Sequence, residues 1–232
     1  MWGRNGRVRP RLINMSNCQN IILSGVILKN GASWNVHMIY SDTIVTNHCT
    51  FYSENVWNGD GWDPDSSTNC TIFDCCSAYG HGITIGSEMS GGVEDVRIWD
   101  CDMSSSLFGI EIKGTWKRGG YVRNVHATDC KVSRVLLHSV GYNNDGIAAD
   151  TQPYFEDCSF ENLSISGKYY DHYKEERGYC DAIELIGFDE PGHELKNIVF
   201  RNITIGIPGE SRRQNISLQL CENITLDKIT CL

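Results

Sequence analysis

The chain has 232 residues, of which 41% are apolar and 21% charged, with a formal net charge of −9 and a pI near 5.2. That mix excludes a disordered chain, and no run of eighteen apolar residues is present to cross a bilayer. The acidic balance argues against nucleic acid or an anionic membrane as partner, so an anionic ligand would need a locally basic site. Lys113, Lys117, Arg118, Arg123 and Arg134 form one such stretch.

The opening Met1-Trp2-Gly3-Arg4 lacks the apolar centre of a secretory signal. It continues in basic coil through Arg4, Arg7, Arg9 and Arg11, and the last residues stop inside a repeat, as expected of a shortened chain.

Self-similarity dominates the remainder of the chain. Anchors at Asn20, Thr43, Asn69, Asp95, Asn124, Gln152, Asn197 and Asn223 are separated by 23, 26, 26, 29, 28, 45 and 26 residues. One and three positions after each anchor stand mostly apolar residues, from Ile21 and Leu23 to Ile224 and Leu226. A second apolar pair stands six and eight positions on. Each pair has the period of a strand with one buried face, and the phase slips by one between them. A corner must absorb that slip, and Gly25, Asp74, Asp100, Asp129, Asp157 and Asn202 occupy it; Gly, Asn and Asp tolerate the left-handed backbone of such a corner.

Strand, corner, strand and a loop bearing a third strand make one coil of a solenoid, which buries its face only by stacking on its neighbours. The expected fold is therefore all-β, a single right-handed parallel β-helix over residues 1–232. Residues 161–196 are expected to form a longer loop or extra coil, with Tyr169, Tyr170, His172 and Tyr173 placed to stack on sugar rings.

Eleven cysteines occur. The alignment puts Cys49, Cys75, Cys101, Cys130 and Cys158 at one inward position, a ladder of small apolar side chains that needs no bridges. Reduced thiols suit a cytoplasmic setting. Cys75-Cys76 is the one tight pair and no CxxC occurs, so no metal or other cofactor is expected. Six N-x-[ST] triplets, at Asn14, Asn69, Asn162, Asn202, Asn215 and Asn223, arise in part from the Asn-apolar-Thr start of a coil and say little about glycosylation.

Three glycine-framed polar motifs succeed one another in register: Asn58-Gly59-Asp60-Gly61-Trp62-Asp63, Gly80-His81-Gly82 and Gly109-Ile110-Glu111-Ile112-Lys113. The glycines are expected to let a ligand approach the backbone closely. With NGDGWDPDSS, GHGITIGSEMSGGV and GIEIK followed by GTWKRGGYVRNV, the chain resembles the polygalacturonases, pectin-cleaving β-helical glycoside hydrolases of family 28. The opening RPRLINMSNCQNIILSGVILKNGASWNVH is similar to their coils ahead of the site, so the resemblance covers nearly the whole chain.

The resemblance implies hydrolysis of α-1,4-galacturonosidic bonds with inversion, no metal, a monomer, and pectin or polygalacturonate as partner; relatives are often secreted. It implies that Asp60 activates water and that His81 supports the acid or positions substrate. Asn58, Lys113 and the position of Glu111 would bind substrate, Lys113 through charge-assisted hydrogen bonds to a galacturonate carboxylate.

Two departures stand out. Glu111 replaces the family's arginine, and the Asp-Asp pair expected between Asp60 and His81 is missing, those two lying only 21 residues apart. A solenoid can lose a coil and still stack. Loss of the acid should impair hydrolysis, which leaves an inactive solenoid that only binds acidic polysaccharide as the alternative. A calcium-dependent lyase is disfavoured by the want of a carboxylate cluster. Glu111 is expected to pair with Lys113, although on spacing it could replace the acid.

Overall fold

The computed structural model describes residues 9–141, 149–171, 176–211 and 214–232. Arg4, Arg7, His172 and Tyr173, singled out from the sequence, lie outside these described residues.

The described residues are all strand, turn and loop, wound into about eight parallel coils. One sheet takes Ile13–Ser16, Val36–Ile39, Trp62–Asp65, Ile83–Ile85, Ile110–Thr115, Val135–Val140, Ile183–Ile186 and Ile216–Gln219 in that order, every pair parallel. The other two faces are joined into a 14-stranded sheet because the long strand Leu195–Ile205 runs through both. This is the parallel β-helix expected from the repeat.

The corners explain why the chain winds this way. Asn20, Thr43, Asn69, Asp95, Asn124, Asp157, Asn197 and Asn223 all have φ between 53° and 58°. Five residues after each, Gly25, His48, Asp74, Asp100, Asp129, Asn162, Asn202 and Lys228 are left-handed as well. Side-chain amides reinforce the stack from coil to coil: Asn162 donates to Asp129 at 3.1 Å, Asn197 to Asp157 at 2.8 Å and Asn223 to Asn197 at 2.7 Å.

These corners correct one register. The sixth anchor is Asp157 rather than Gln152, because each coil has two left-handed corners five residues apart, both followed by apolar residues, and a slip from one to the other preserves the pattern. Cys158 consequently pairs with Ile198, in the row that also holds Ile44, Cys70 and Val96. The cysteine ladder has four rungs, Cys49, Cys75, Cys101 and Cys130, all buried and unbridged, and Leu163 is the next rung.

Within residues 161–196, Ile183–Ile186 takes an ordinary place in the first sheet, while Lys168–Asp171 and Glu176–Tyr179 form an antiparallel hairpin outside the coils. The core between the sheets is continuous, and Phe160 stacks on Phe200 with ring centroids 4.8 Å apart and no exposure of either. Phe160→Ala should cost about 3–5 kcal/mol, the scale of a buried Phe truncation. Denaturant titration followed by far-UV circular dichroism checks this; a midpoint unchanged from the parent would contradict the packing.

Candidate active site

The site lies where the turns between coils meet the first sheet. Ile83 pairs with Trp62 and Thr84 with Glu111, so residues 63, 84 and 111 fall in one outward-facing row while Trp62, Ile83, Ile110 and Ile112 point into the core. Lys113 pairs with His138 one coil further on. The sequence motifs are thereby brought onto successive coils of one face.

The coil between Asp60 and His81 is short because its turn into the first sheet is only residues 80–82. The stack passes through residues 74–77 without a break, since Cys76 pairs with Thr50 on one side and Asp102 on the other. The glycines framing the motifs serve this stack. A Cβ at Gly80 would lie 2.0 Å from the carbonyl oxygen of Gly59, and one at Gly82 would lie 2.2 Å from that of Gly109. Close approach is thus between coil and coil, not between backbone and ligand as the sequence suggested.

Asp60 is buried, with His81 Nδ1 3.0 Å from its Oδ1, off the line of a well-aligned hydrogen bond. Its carbonyl accepts from the backbone and side-chain nitrogens of Asn35, at 2.8 and 3.1 Å, which fixes the loop from the preceding coil. Burial opposes ionisation of Asp60, but the close approach of His81, helped by Lys113, outweighs it and holds the carboxyl below its ordinary range. Asp63 goes the other way: burial first, then the negative charge of Asp60 beside it, push its carboxyl well above that range. Of the two, Asp63 is the one whose surroundings favour the neutral form.

Glu111, 2% exposed, receives Lys113 Nζ at 3.0 Å and His138 Nε2 at 2.9 Å. Burial would raise its pKa, yet Lys113 and His138 overcome that and keep it ionised well below the ordinary carboxylate range. The pairing expected from the sequence is present, and its cost is that Glu111 holds no proton to give. Asn58 is half-buried and its side-chain oxygen accepts from Arg9 Nη2 at 2.6 Å, a bond that ties the loop to the first coil. The edge of Phe108 closes over His81 at 4.8 Å between ring centroids.

Sequence reasoning did not assign roles to Asp63 or His138. Asp63 was legible as the second carboxylate of Asn58-Gly59-Asp60-Gly61-Trp62-Asp63; His138 carries no local motif and joins the site only through strand register. Among the described residues, no group of three or more His, Cys, Asp or Glu side chains is arranged to hold a metal ion.

A right-handed parallel solenoid with carboxylates and histidines gathered on one sheet face places the chain among the β-helical folds. Comparison with known proteins makes this specific. The model of glycosyl hydrolases family 28 matches residues 73–145, which include His81, Glu111, Lys113 and His138 but not Asp60. A probable polygalacturonase of Vitis vinifera is 28% identical over 249 residues, covering 91% of this chain and 49% of that protein. An endo-polygalacturonase of Pectobacterium carotovorum subsp. carotovorum is 27% identical over 200 residues, covering 68% and 47%. The crystal structure of a hyperthermoactive exopolygalacturonase from Thermotoga maritima superposes with a TM-score of 0.70 at 20% identity, covering 99% of this chain and 56% of that one. The chain is thus similar to family 28 polygalacturonases in sequence and in fold, and spans about half the length of the Vitis and Pectobacterium proteins.

The carboxyl pair makes stability depend on pH. A pKa raised in the folded state means that the unfolded chain releases its proton first as pH rises. The Asp63 contribution is therefore complete below the ordinary Asp range, near pH 4, and is lost progressively as pH rises through the elevated folded value. Asp63→Asn, which keeps the side chain neutral, should flatten that slope in a series of melting curves from acid to neutral pH. An unchanged slope would show that Asp63 is ionised throughout.

Proposed function

We propose that the chain acts as a polygalacturonase-type glycoside hydrolase on the α-1,4-galacturonosidic bonds of pectin, with turnover depressed by the missing Asp-Asp coil. The observation that carries this reading is the meeting of Asp60 and His81 at 3.0 Å on adjacent coils, with Asp60 held ionised inside a closed polar cluster.

In this reading Asp60 takes a proton from the attacking water, and His81 holds the carboxylate in its charged form. The general acid is the weak part. Inversion requires a protonated carboxyl roughly 6.5–9.5 Å from the base, leaving room for water. Asp63 is pushed toward its neutral form, but by burial and by the charge of Asp60 itself, the base it would have to oppose, and Glu111 is held ionised by two cations. Neither offers an acid across the gap, so leaving-group departure goes largely unassisted.

An inactive solenoid that only binds acidic polysaccharide is the alternative, and the same lack of an acid favours it. Release of reducing ends from polygalacturonate separates the two. We expect slow hydrolysis, abolished by Asp60→Asn and unaffected in kind by Glu111→Gln. Inserting a coil bearing Asp-Asp between Cys75 and Cys76 should raise turnover by about 10²–10⁴, the usual contribution of general acid–base help. Retention on polygalacturonate with no Asp60-dependent release would establish the binding-only protein.

A further inference from the structure

The hairpin Lys168–Asp171 and Glu176–Tyr179 roofs a cavity of about 570 Å³, within the range of small-ligand pockets, about 300–1,000 Å³. Its wall includes Tyr79, the last residue of the strand that leads into the turn bearing His81, so the cavity lies beside the site already described. It is built of rings and hydroxyls: Tyr79, Tyr170 and Tyr179 with Ser104 and Ser105. Tyr52, Tyr79 and Tyr170 form an edge-to-face file, with centroids 5.0 and 5.1 Å apart.

The charges differ from those at the centre of the site. There each cation is matched: Lys113 with Glu111 at 3.0 Å, Arg118 with Glu88 at 2.9 Å, Arg134 with Glu184. In the cavity wall Lys168 is matched too, by Glu210 at 2.5 Å, and Tyr179 donates to the same carboxylate at 3.2 Å. Arg177 is the exception. Its guanidinium lies 5.2 Å from the centroid of the Tyr170 ring, is exposed, and among the described residues has no carboxylate partner. An exposed arginine held over an aromatic ring keeps N–H groups available for a bidentate oxyanion. Aromatic faces beside hydroxyls suit the apolar face and the rim of a pyranose ring.

We propose that this cavity is a subsite for an acidic sugar, a uronic acid unit that packs on Tyr170 and Tyr79 and places its carboxylate on Arg177. Recognition of substrate charge then lies under the hairpin, while Glu111 leaves Lys113 no charge to offer at the centre. The ligand class rests on the function proposed above, but binding is read without turnover.

The experiment is calorimetric titration of the full chain, as parent, Arg177→Gln, Tyr170→Ala and Asp60→Asn, with trigalacturonate and with its methyl ester. Arg177 is exposed, so Arg177→Gln leaves the fold intact, which circular dichroism checks. Arg177→Gln should weaken trigalacturonate binding about tenfold or more, the scale of a charged hydrogen bond, and leave binding of the ester unchanged. Tyr170→Ala should weaken both, and Asp60→Asn should retain the parent's preference for the acid. No binding by the parent, or equal binding by parent and Arg177→Gln, overturns the subsite. Arg177-dependent binding without Asp60-dependent hydrolysis supports the subsite while removing the hydrolase. Hydrolysis that depends on Asp60 with binding indifferent to Arg177 does the reverse.

Discussion

The left-handed corner is the constraint on which everything else in this molecule depends. A strand with one buried face cannot bend around a core without turning its side chains outward, unless a residue with positive φ takes up the change of phase. Here that is done twice per coil, mostly by Asn and Asp, whose short polar side chains make the conformation tolerable and then hydrogen-bond to the corner above or below. The apolar rows, the cysteine ladder and the register of the first sheet all result from it. So does the position of the polar cluster, since residues 63, 84 and 111 share a row only because the corners keep successive coils in phase.

Charge is handled inside that frame by near-complete matching. The cluster buries Asp60, Asp63 and Glu111 against His81, Lys113 and His138. Buried carboxylates are costly unless paired, and this site answers in two ways. Glu111 is given two cations and stays ionised, while burial and the charge of Asp60 push Asp63 toward its neutral form. Glu111 therefore engages Lys113 and His138 and leaves the local balance of charge nearly neutral.

Much of this was legible in the sequence. Apolar pairs at fixed offsets, with Gly, Asn or Asp between them, specify a solenoid directly, because the period of a strand and the demand of a corner are both local properties. The motifs around Asp60, His81 and Lys113 were visible for the same reason. What could not be read was whatever depended on choosing between two near-identical local patterns. Asp157 and Gln152 both precede plausible strands, and only the pairing of Cys158 with Ile198 decides between them. His138 reaches Glu111 across a strand pair 25 residues out of step in sequence, Ile110 opposite Val135, and nothing near His138 announces it. The packing role of Gly80 and Gly82 has no local signature, because their steric neighbours, the carbonyls of Gly59 and Gly109, belong to other coils.

The short turn at residues 80–82 has a wider meaning for how such a chain can change. Because both corners recur in every coil, differences in length are taken up in the loops between strands, as at residues 80–82 and in the hairpin, while the strands themselves keep their facing and stay in phase. Chemistry distributed over several coils is therefore adjustable only in steps of one strand spacing, about 4.8 Å. Loss of a single coil leaves every surviving side chain in its proper orientation, yet slides one half of a catalytic arrangement a full step along the axis relative to the other. The architecture is forgiving of deletion in its stability and intolerant of it in its distances, so a fold of this kind can outlast the reaction it once aligned.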